Sequence, residues 1–331
     1  MFLTRRAVLP LIGTIPFARW PAETLPRAKH TRILLGGDIM LSRGVGRLAR
    51  ERKDPAAPLR DLAPIFTGAD IAFANLESPF SDRGHVVDQG MIFKAEPEMI
   101  EGLELAGIDV VSTANNHARD QGGHGLEYTL GWLERHGIAA TGTGLTEDAA
   151  HAGAILNRNG TKFGFLAYTY DQTNGNHTEL DDRVAGLDVA QMQCDVAALL
   201  DRADVAIVSM HAGTEYEARP NAQQVAFARA AIDAGASIVV GHHPHVVQPW
   251  ERYRSGVIFY SLGNLVFDQF QREDTQRGAL GQVVFEGSRM VRADMIPVNI
   301  VRTVPRIADS PGLASSPQPA GSATPAASGG I

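Results

Sequence analysis

The sequence predicts an α/β domain, and three observations carry that expectation. Short β-branched and apolar runs alternate along the chain with segments whose apolar residues recur at helical spacing. With 331 residues, 44% of them hydrophobic, the chain can bury a sizeable core. Strand after strand closes on a residue able to bind a metal ion, as expected where parallel strands share one carboxyl edge.

Taken in order, residues 32–37 read as a buried strand that stops abruptly at Gly36-Gly37-Asp38. Residues 71–75 form a second, ending at Leu76-Glu77. Helical spacing over 98–106 is closed by Gly107, a helix-stop residue. Residues 109–114 are strand-like and end at Asn115-Asn116-His117, and 125–135 are helical up to Gly137. Residues 154–168 predict a hairpin, because Asn159-Gly160 is the strongest short hairpin signal. A helix over 189–202 leads to a β-branched run, 205–210, ending at His211. A helix over 223–234 precedes 238–240, which runs into Gly241-His242-His243-Pro244-His245. Residues 246–250 and 257–261 predict a hairpin around Ser255-Gly256, and 281–285 with 290–297 a last one. The chain has no internal repeat.

The ends differ from this body. Thr4-Arg5-Arg6 precedes an apolar run, 7–18, broken by Pro10, Gly13 and Pro16. That is a charged region and apolar segment of signal-peptide length, and the paired arginines point to the twin-arginine route. Residues 1–30 are therefore expected to export the protein to the periplasm or cell envelope. An uncleaved anchor, which would associate the chain with the membrane, or a buried first helix are the plainer readings. Residues 31–300 are expected to form the domain. Residues 301–331, largely Pro, Gly, Ser, Ala and Thr, have little to bury and are expected to be disordered.

Charge and cysteine content exclude some functions. Residues 1–30 carry five basic residues against Glu23, a net +4, so the formal −7 leaves −11 on the remainder. An acidic body without Lys/Arg clusters argues against nucleic acid. Cys194 is the only cysteine, which rules out an internal disulfide and a cysteine zinc site.

The strand-end residues Asp38, Glu77, Asn116, His211, His243 and His245 are the candidate metal ligands. Each has a plainer reading alone: Asp38 as a cap for the following helix, Asn116 as a turn residue, His211 as a core histidine. Their coincidence at successive strand ends is what points to a metal. Imidazole with carboxylate or carboxamide oxygen, and no thiolate, suits one or two divalent ions such as zinc, manganese, iron or calcium. His243-Pro244-His245 is expected to place two imidazoles on one side of an extended backbone, with His242 on the other. Asn115, His242, Glu215 and Asn264 are expected to support the ligands from behind. His117, with a normal pKa near neutrality, is the candidate acid/base, and Asp120 the group that orients it. As alternatives, Asp120 caps a helix and His117 is a structural donor.

Six motifs occur in this order: Gly37-Asp38-Ile39-Met40, Asn75-Leu76-Glu77, Asn115-Asn116-His117-Ala118-Arg119-Asp120-Gln121-Gly122, His211-Ala212-Gly213-Thr214-Glu215-Tyr216, Gly241-His242-His243-Pro244-His245-Val246-Val247-Gln248-Pro249 and Tyr260-Ser261-Leu262-Gly263-Asn264. The set resembles the CapA family of capsule-synthesis proteins, associated with poly-γ-glutamate. That resemblance implies the fold of the calcineurin-like metallophosphoesterases, a four-layer αββα sandwich. Where those enzymes have Asp-x-His, this chain has Asp38-Ile39-Met40. Where they have a Gly-Asp pair, it has Asn75-Leu76-Glu77, which leaves a one-metal site as open as a two-metal one. Three functions follow as expectations. The first is metal-dependent hydrolysis of an exported polymer or peptide such as poly-γ-glutamate, or of its precursors. The second is peptide epimerisation through an α-proton. The third is a non-catalytic role as subunit of a capsule synthesis or export complex.

Overall fold

The computed structural model describes residues 29–84, 91–172 and 180–308. The export segment, apart from residues 29 and 30, and the tail beyond residue 308 lie outside the described residues. In chain order the elements are β1 (His30–Ile39), α1 (Arg43–Arg52), α2 (Ala63–Phe66), β2 (Ile71–Leu76), α3 (Ile100–Ala106), β3 (Val110–Ser112), α4 (Gly122–Arg135), β4 (Ala139–Thr141), α5 (Glu147–His151), β5 (Ala154–Arg158), β6 (Thr161–Thr169), α6 (Val189–Leu200), β7 (Val205–His211), α7 (Ala222–Asp233), β8 (Ile238–His242), β9 (Trp250–Tyr253), β10 (Gly256–Phe259), β11 (Asn264–Val266), β12 (Arg277–Glu286), β13 (Arg289–Val301) and β14 (Val304–Ile307).

They form two sheets. The eight-stranded sheet has the order β14-β13-β12-β1-β2-β3-β4, with β11 added to the end of β1. Its strands β1 to β4 are parallel. The six-stranded sheet runs β5-β6-β7-β8-β10-β9, with β6, β7, β8 and β10 parallel.

The apolar alternation of each strand explains why the sheets stack. Ile33 and Leu35 of β1 and Ile71 and Phe73 of β2 face Phe163, Phe165, Val205, Ile207 and Val240 in a layer between the sheets. Their neighbours Leu34, Ala72 and Ala74 point the other way, against Val45, Phe66, Leu103 and Leu133 of α1 to α4. Ala206 and Val208 of β7 likewise turn outward onto Met192 and Val196 of α6 and Phe227 and Ala231 of α7. Strands buried on both faces read as continuous apolar runs, and the result is the αββα sandwich. Each fully buried Leu, Ile, Val or Phe contributes roughly 1.5–3 kcal/mol. The layer between the sheets, not the polar groups at its rim, therefore holds the two rims together.

Three boundaries differ from the sequence expectation. β1 does not stop at Gly37 but runs on to Ile39, because Gly37 lets another backbone cross it. A Cβ there would lie 2.0 Å from the Gly263 carbonyl oxygen, which instead accepts from Asp38 N at 3.0 Å. The hairpin expected around Ser255-Gly256 starts later, at Trp250, and turns through Arg254-Ser255, with Arg254 at φ 49. The last sheet continues past residue 300 into β14, through Arg302 and Thr303, both left-handed. The hairpin at Asn159-Gly160 is present, with both residues at positive φ. No helix among the described residues is long and apolar enough to cross a membrane.

Candidate metal centre

Parallel strands in both sheets end at the same rim, and the register brings their last residues face to face. Asp38 of β1 pairs with Asn75 of β2 and Asn264 of β11, and Asn75 pairs with Ser112 of β3. His211 of β7 pairs with His242 of β8 in the other sheet. Across the gap, Asp38 Oδ1 lies 3.3 Å from His242 Nδ1, and Asp38 Oδ2 lies 3.4 Å from His245 Nδ1. Asn116 Oδ1 is 2.8 Å from His211 Nε2.

Two groups of side chains present ligand atoms within 4.8 Å of one another: Asp38 with Glu77 and His245, and Glu215 with His243 and His245. His245 belongs to both. Glu77 Oε1 is 3.6 Å from His245 Nε2. Glu77 Oε1 and His243 Nδ1 are buried with no hydrogen-bond partner among the described residues. Buried polar atoms without a partner are costly, and a cation could satisfy them. The donor set, oxygen and imidazole without sulfur, fits a divalent ion of the zinc, manganese or iron type.

The electrostatics agree. Burial pushes the Asp38 carboxyl upward, but His242 and His245 outweigh it and hold the group well below the usual carboxylate range. Burial, reinforced by Asp38, Glu215 and Asp120, drives Glu77 well above it. Burial beside His245 lowers His243 to about 3, and burial with His243 lowers His211 well below the ordinary histidine range. Neutral imidazoles are the form that coordinates a metal.

His117 stands at the edge of this cluster, its Nε2 4.0 Å from Glu77 Oε1. Its Nδ1 lies 2.8 Å from Asp120 Oδ2, and the same oxygen accepts from the backbone N–H of Phe93. Phe93 stacks on the imidazole with ring centroids 4.0 Å apart. Asp120 is therefore not a helix cap; Gln121 is the residue before α4.

The structure places Asp38, Glu77, His243 and His245 together. His211 lies outside both groups and meets the centre through Asn116 Oδ1 at 2.8 Å and Asn75 Nδ2 at 3.3 Å. Asn115 supports from behind, its Nδ2 donating to Asn75 Oδ1 and the Leu76 carbonyl. Asn264 Oδ1 lies 3.0 Å from His245 Nδ1. Glu215, expected behind the ligands, offers an oxygen within 4.8 Å of ligand atoms on His243 and His245. One expectation needs correction. The backbone of His243-Pro244-His245 is not extended: His243 and His245 sit at φ 94 and 58, and this left-handed kink aims both rings inward. His242, fully buried, reaches Asp38 from the last residue of β8.

Asn75 was given no role by sequence reasoning, yet it is the hub. Its Nδ2 donates to Asp38 Oδ1 at 2.9 Å and lies 3.4 Å from Glu77 Oε2 and 3.3 Å from His211 Nδ1. The available signal was its place at the start of the Asn75-Leu76-Glu77 motif.

The fold is a four-layer αββα sandwich with a carboxylate–imidazole cluster at its strand ends. The chain belongs to the bacterial capsule synthesis protein PGA_cap family, whose model matches residues 32–269. It is 32% identical to the PGA biosynthesis protein CapA of Bacillus subtilis, over 90% of this chain and 80% of that one. It is 31% identical to the capsule biosynthesis protein CapA of Bacillus anthracis, over 90% and 76%. Among solved structures, a hypothetical protein from Thermus thermophilus superposes with a TM-score of 0.52 at 20% identity, covering 81% of this chain and 98% of that one. That likeness shows the fold alone.

Proposed function

We propose that this chain is an exported, metal-dependent hydrolase acting on an envelope polymer of the poly-γ-glutamate type or on its precursors. The observation that carries the reading is the pair of ligand groups sharing His245, with the His117–Asp120 pair beside them. The printed functions of the Bacillus relatives, PGA and capsule biosynthesis, supply the substrate class. Export rests on Thr4-Arg5-Arg6 and the apolar run after it.

Asp38, Glu77 and His245 would hold one ion, and Glu215 and His243 offer a second position. A bound divalent ion supplies a Lewis acid for the scissile carbonyl or phosphoryl oxygen and an acidified water. Asp120 accepts from His117 Nδ1 and so fixes the tautomer, leaving Nε2 as the atom that exchanges a proton with the reacting group. Phe93 covers the imidazole face and keeps water from it.

The test is to load the purified full chain with zinc or manganese and assay γ-glutamyl polymers, γ-glutamyl peptides and phosphoesters in deuterated buffer. Metal-dependent cleavage is the expected result. Deuterium entering an α-carbon without cleavage would replace hydrolysis by epimerisation. No turnover by the metal-loaded protein would leave a binding subunit of a synthesis complex. A fusion of residues 1–30 to a reporter tests export.

A further inference from the structure

We infer that Asn264, its amide held one way round by the Thr275 carbonyl and Gln269, is a positioning residue that keeps the proton of His245 on Nδ1 and so presents Nε2 to the ion. This rests on the metal centre proposed above and gives a part to three residues outside both ligand groups.

A carbonyl oxygen can only accept a hydrogen bond, whereas a carboxamide donates through its nitrogen and accepts through its oxygen. The Thr275 carbonyl lies 3.0 Å from the Asn264 side chain, so the atom facing it is Nδ2. The reverse orientation would set two oxygens against each other in a place closed to water, since Asn264 is fully buried and Thr275 is buried. The same nitrogen donates to Gln269 Oε1 at 3.0 Å. Asn264 Oδ1 is thereby turned toward His245 Nδ1, 3.0 Å away, and an amide oxygen needs a proton on that nitrogen. Asp38 Oδ2, a second acceptor 3.4 Å from Nδ1, favours the same assignment. The neutral imidazole carries one proton, which leaves the lone pair on Nε2. That is the nitrogen 3.6 Å from Glu77 Oε1.

The anchor is fixed in its turn. Thr275 sits in a short helical turn, Asp274–Gln276, and its hydroxyl lies 2.9 Å from the carbonyls of both Gln269 and Arg272. Gln269 Nε2 reaches Tyr216 Oη at 3.4 Å. The Tyr216 backbone N–H donates to the Pro244 carbonyl at 2.9 Å, inside the kink that carries His243 and His245. Asn264 begins β11 and pairs with Asp38 of the eight-stranded sheet, while His245 follows β8 of the six-stranded one. The ligand common to both groups is therefore supplied by one sheet and oriented by the other. Partners of this kind, bonded to the far nitrogen of a metal-binding histidine, commonly change affinity about 10–100-fold when lost.

The full chain, carrying isotope-labelled histidine and loaded with an NMR-active cadmium isotope, reads the assignment directly. The His245 signal is the one lost in His245→Gln. Its proton should sit on Nδ1 in chelator-treated protein, and its coupling to bound cadmium should appear at Nε2. A proton on Nε2, or coupling at Nδ1, overturns the proposal. Asn264→Ala should leave the two tautomers of His245 mixed and weaken cadmium binding about 10–100-fold in competition with a chelator. A lowered thermal midpoint with tautomer and affinity unchanged makes Asn264 merely structural and also overturns it. Should Asn264→Ala fail to fold, the wild-type spectrum decides alone. A proton on Nδ1 in a protein that binds no cadmium upholds the orientation of His245 and removes the metal centre. The orientation and cadmium coupling without turnover leave the proposal standing and remove only the hydrolase reading.

Discussion

The two sheets bring unlike halves to the centre. The eight-stranded sheet supplies Asp38, Asn75, Glu77 and Asn116, oxygen and amide groups, with the His117–Asp120 pair after β3. The six-stranded sheet supplies imidazoles, His211 and His242 at strand ends and His243 and His245 beyond β8, joined by Glu215 after β7. In the first half, burial and mutual repulsion raise Glu77 while the histidines opposite hold Asp38 down. In the second, burial keeps His211 and His243 neutral. Each half alone is an electrostatic burden, and a divalent cation between them would satisfy both. The apolar layer behind the rims makes the arrangement tolerable, because it sets the sheets face to face without help from the polar groups.

The comparison breaks most severely at His245, the residue common to both ligand groups. His245→Ala should weaken metal binding by more than about 100-fold, measured by competition with a chelator. His211→Ala, whose ring bonds Asn116 and Asn75, should cost about tenfold. Equal losses would mean that the six-stranded half contributes its imidazoles evenly.

His117→Ala addresses the chemistry instead of the ion. Turnover on a working substrate should drop about 10²–10⁴-fold with metal content and thermal midpoint retained. Unchanged turnover would take His117 out of the mechanism.

Asn75→Ala removes the amide through which the first half is wired together. Chelator-treated protein should lose about 1–3 kcal/mol in urea unfolding, since buried carboxylate and imidazole groups lose their partner. A change below a few tenths of a kcal/mol would demote it from hub to bystander.

The smallest effect contrasts His243 with a histidine outside the centre. His151 Nδ1 lies 2.7 Å from Asp195 Oδ2, and that bond raises its pKa above the usual 6.5. A raised folded value means stability present below pH 6.5 and lost as pH climbs through the raised value. The gap in thermal midpoint between wild type and His151→Ala should therefore be widest below pH 6.5 and shrink in alkali. His243 has the opposite sign. Its value is lowered to about 3, so the chelator-treated wild type should lose stability as pH falls from 6.5 toward 3, and His243→Ala should lose less. Parallel pH profiles for the two variants would erase the distinction.

Much of this was legible in the sequence, and the exceptions have physical causes. The long periodic helices and the β-branched strands announced themselves, as did the hairpin at Asn159-Gly160. α1 did not, because Arg43–Arg52 holds two glycines and buries only Val45, Gly46 and Ala49. β4 and β11 have three residues each, too few for any alternation to register. At the centre, strand-end position pointed to Asp38, Glu77, His243 and His245, which the structure brings to one rim. The part of Asn75 stays hidden because nothing in its residue type shows that its amide meets Asp38, Glu77 and His211, and Glu215 meets His243 and His245 only once β7 and β8 pair. The left-handed kink at His243 and His245 is only weakly signalled by residue type, since histidine is merely enriched at positive φ.

The most direct test is an anomalous diffraction map of crystals grown with manganese or zinc. The expected result is a peak within bonding distance of Asp38, Glu77 and His245, with any second peak at Glu215 and His243. A peak elsewhere, or none with Glu77 Oε1 and His243 Nδ1 still unpaired, would contradict a metal centre built jointly by the two sheets.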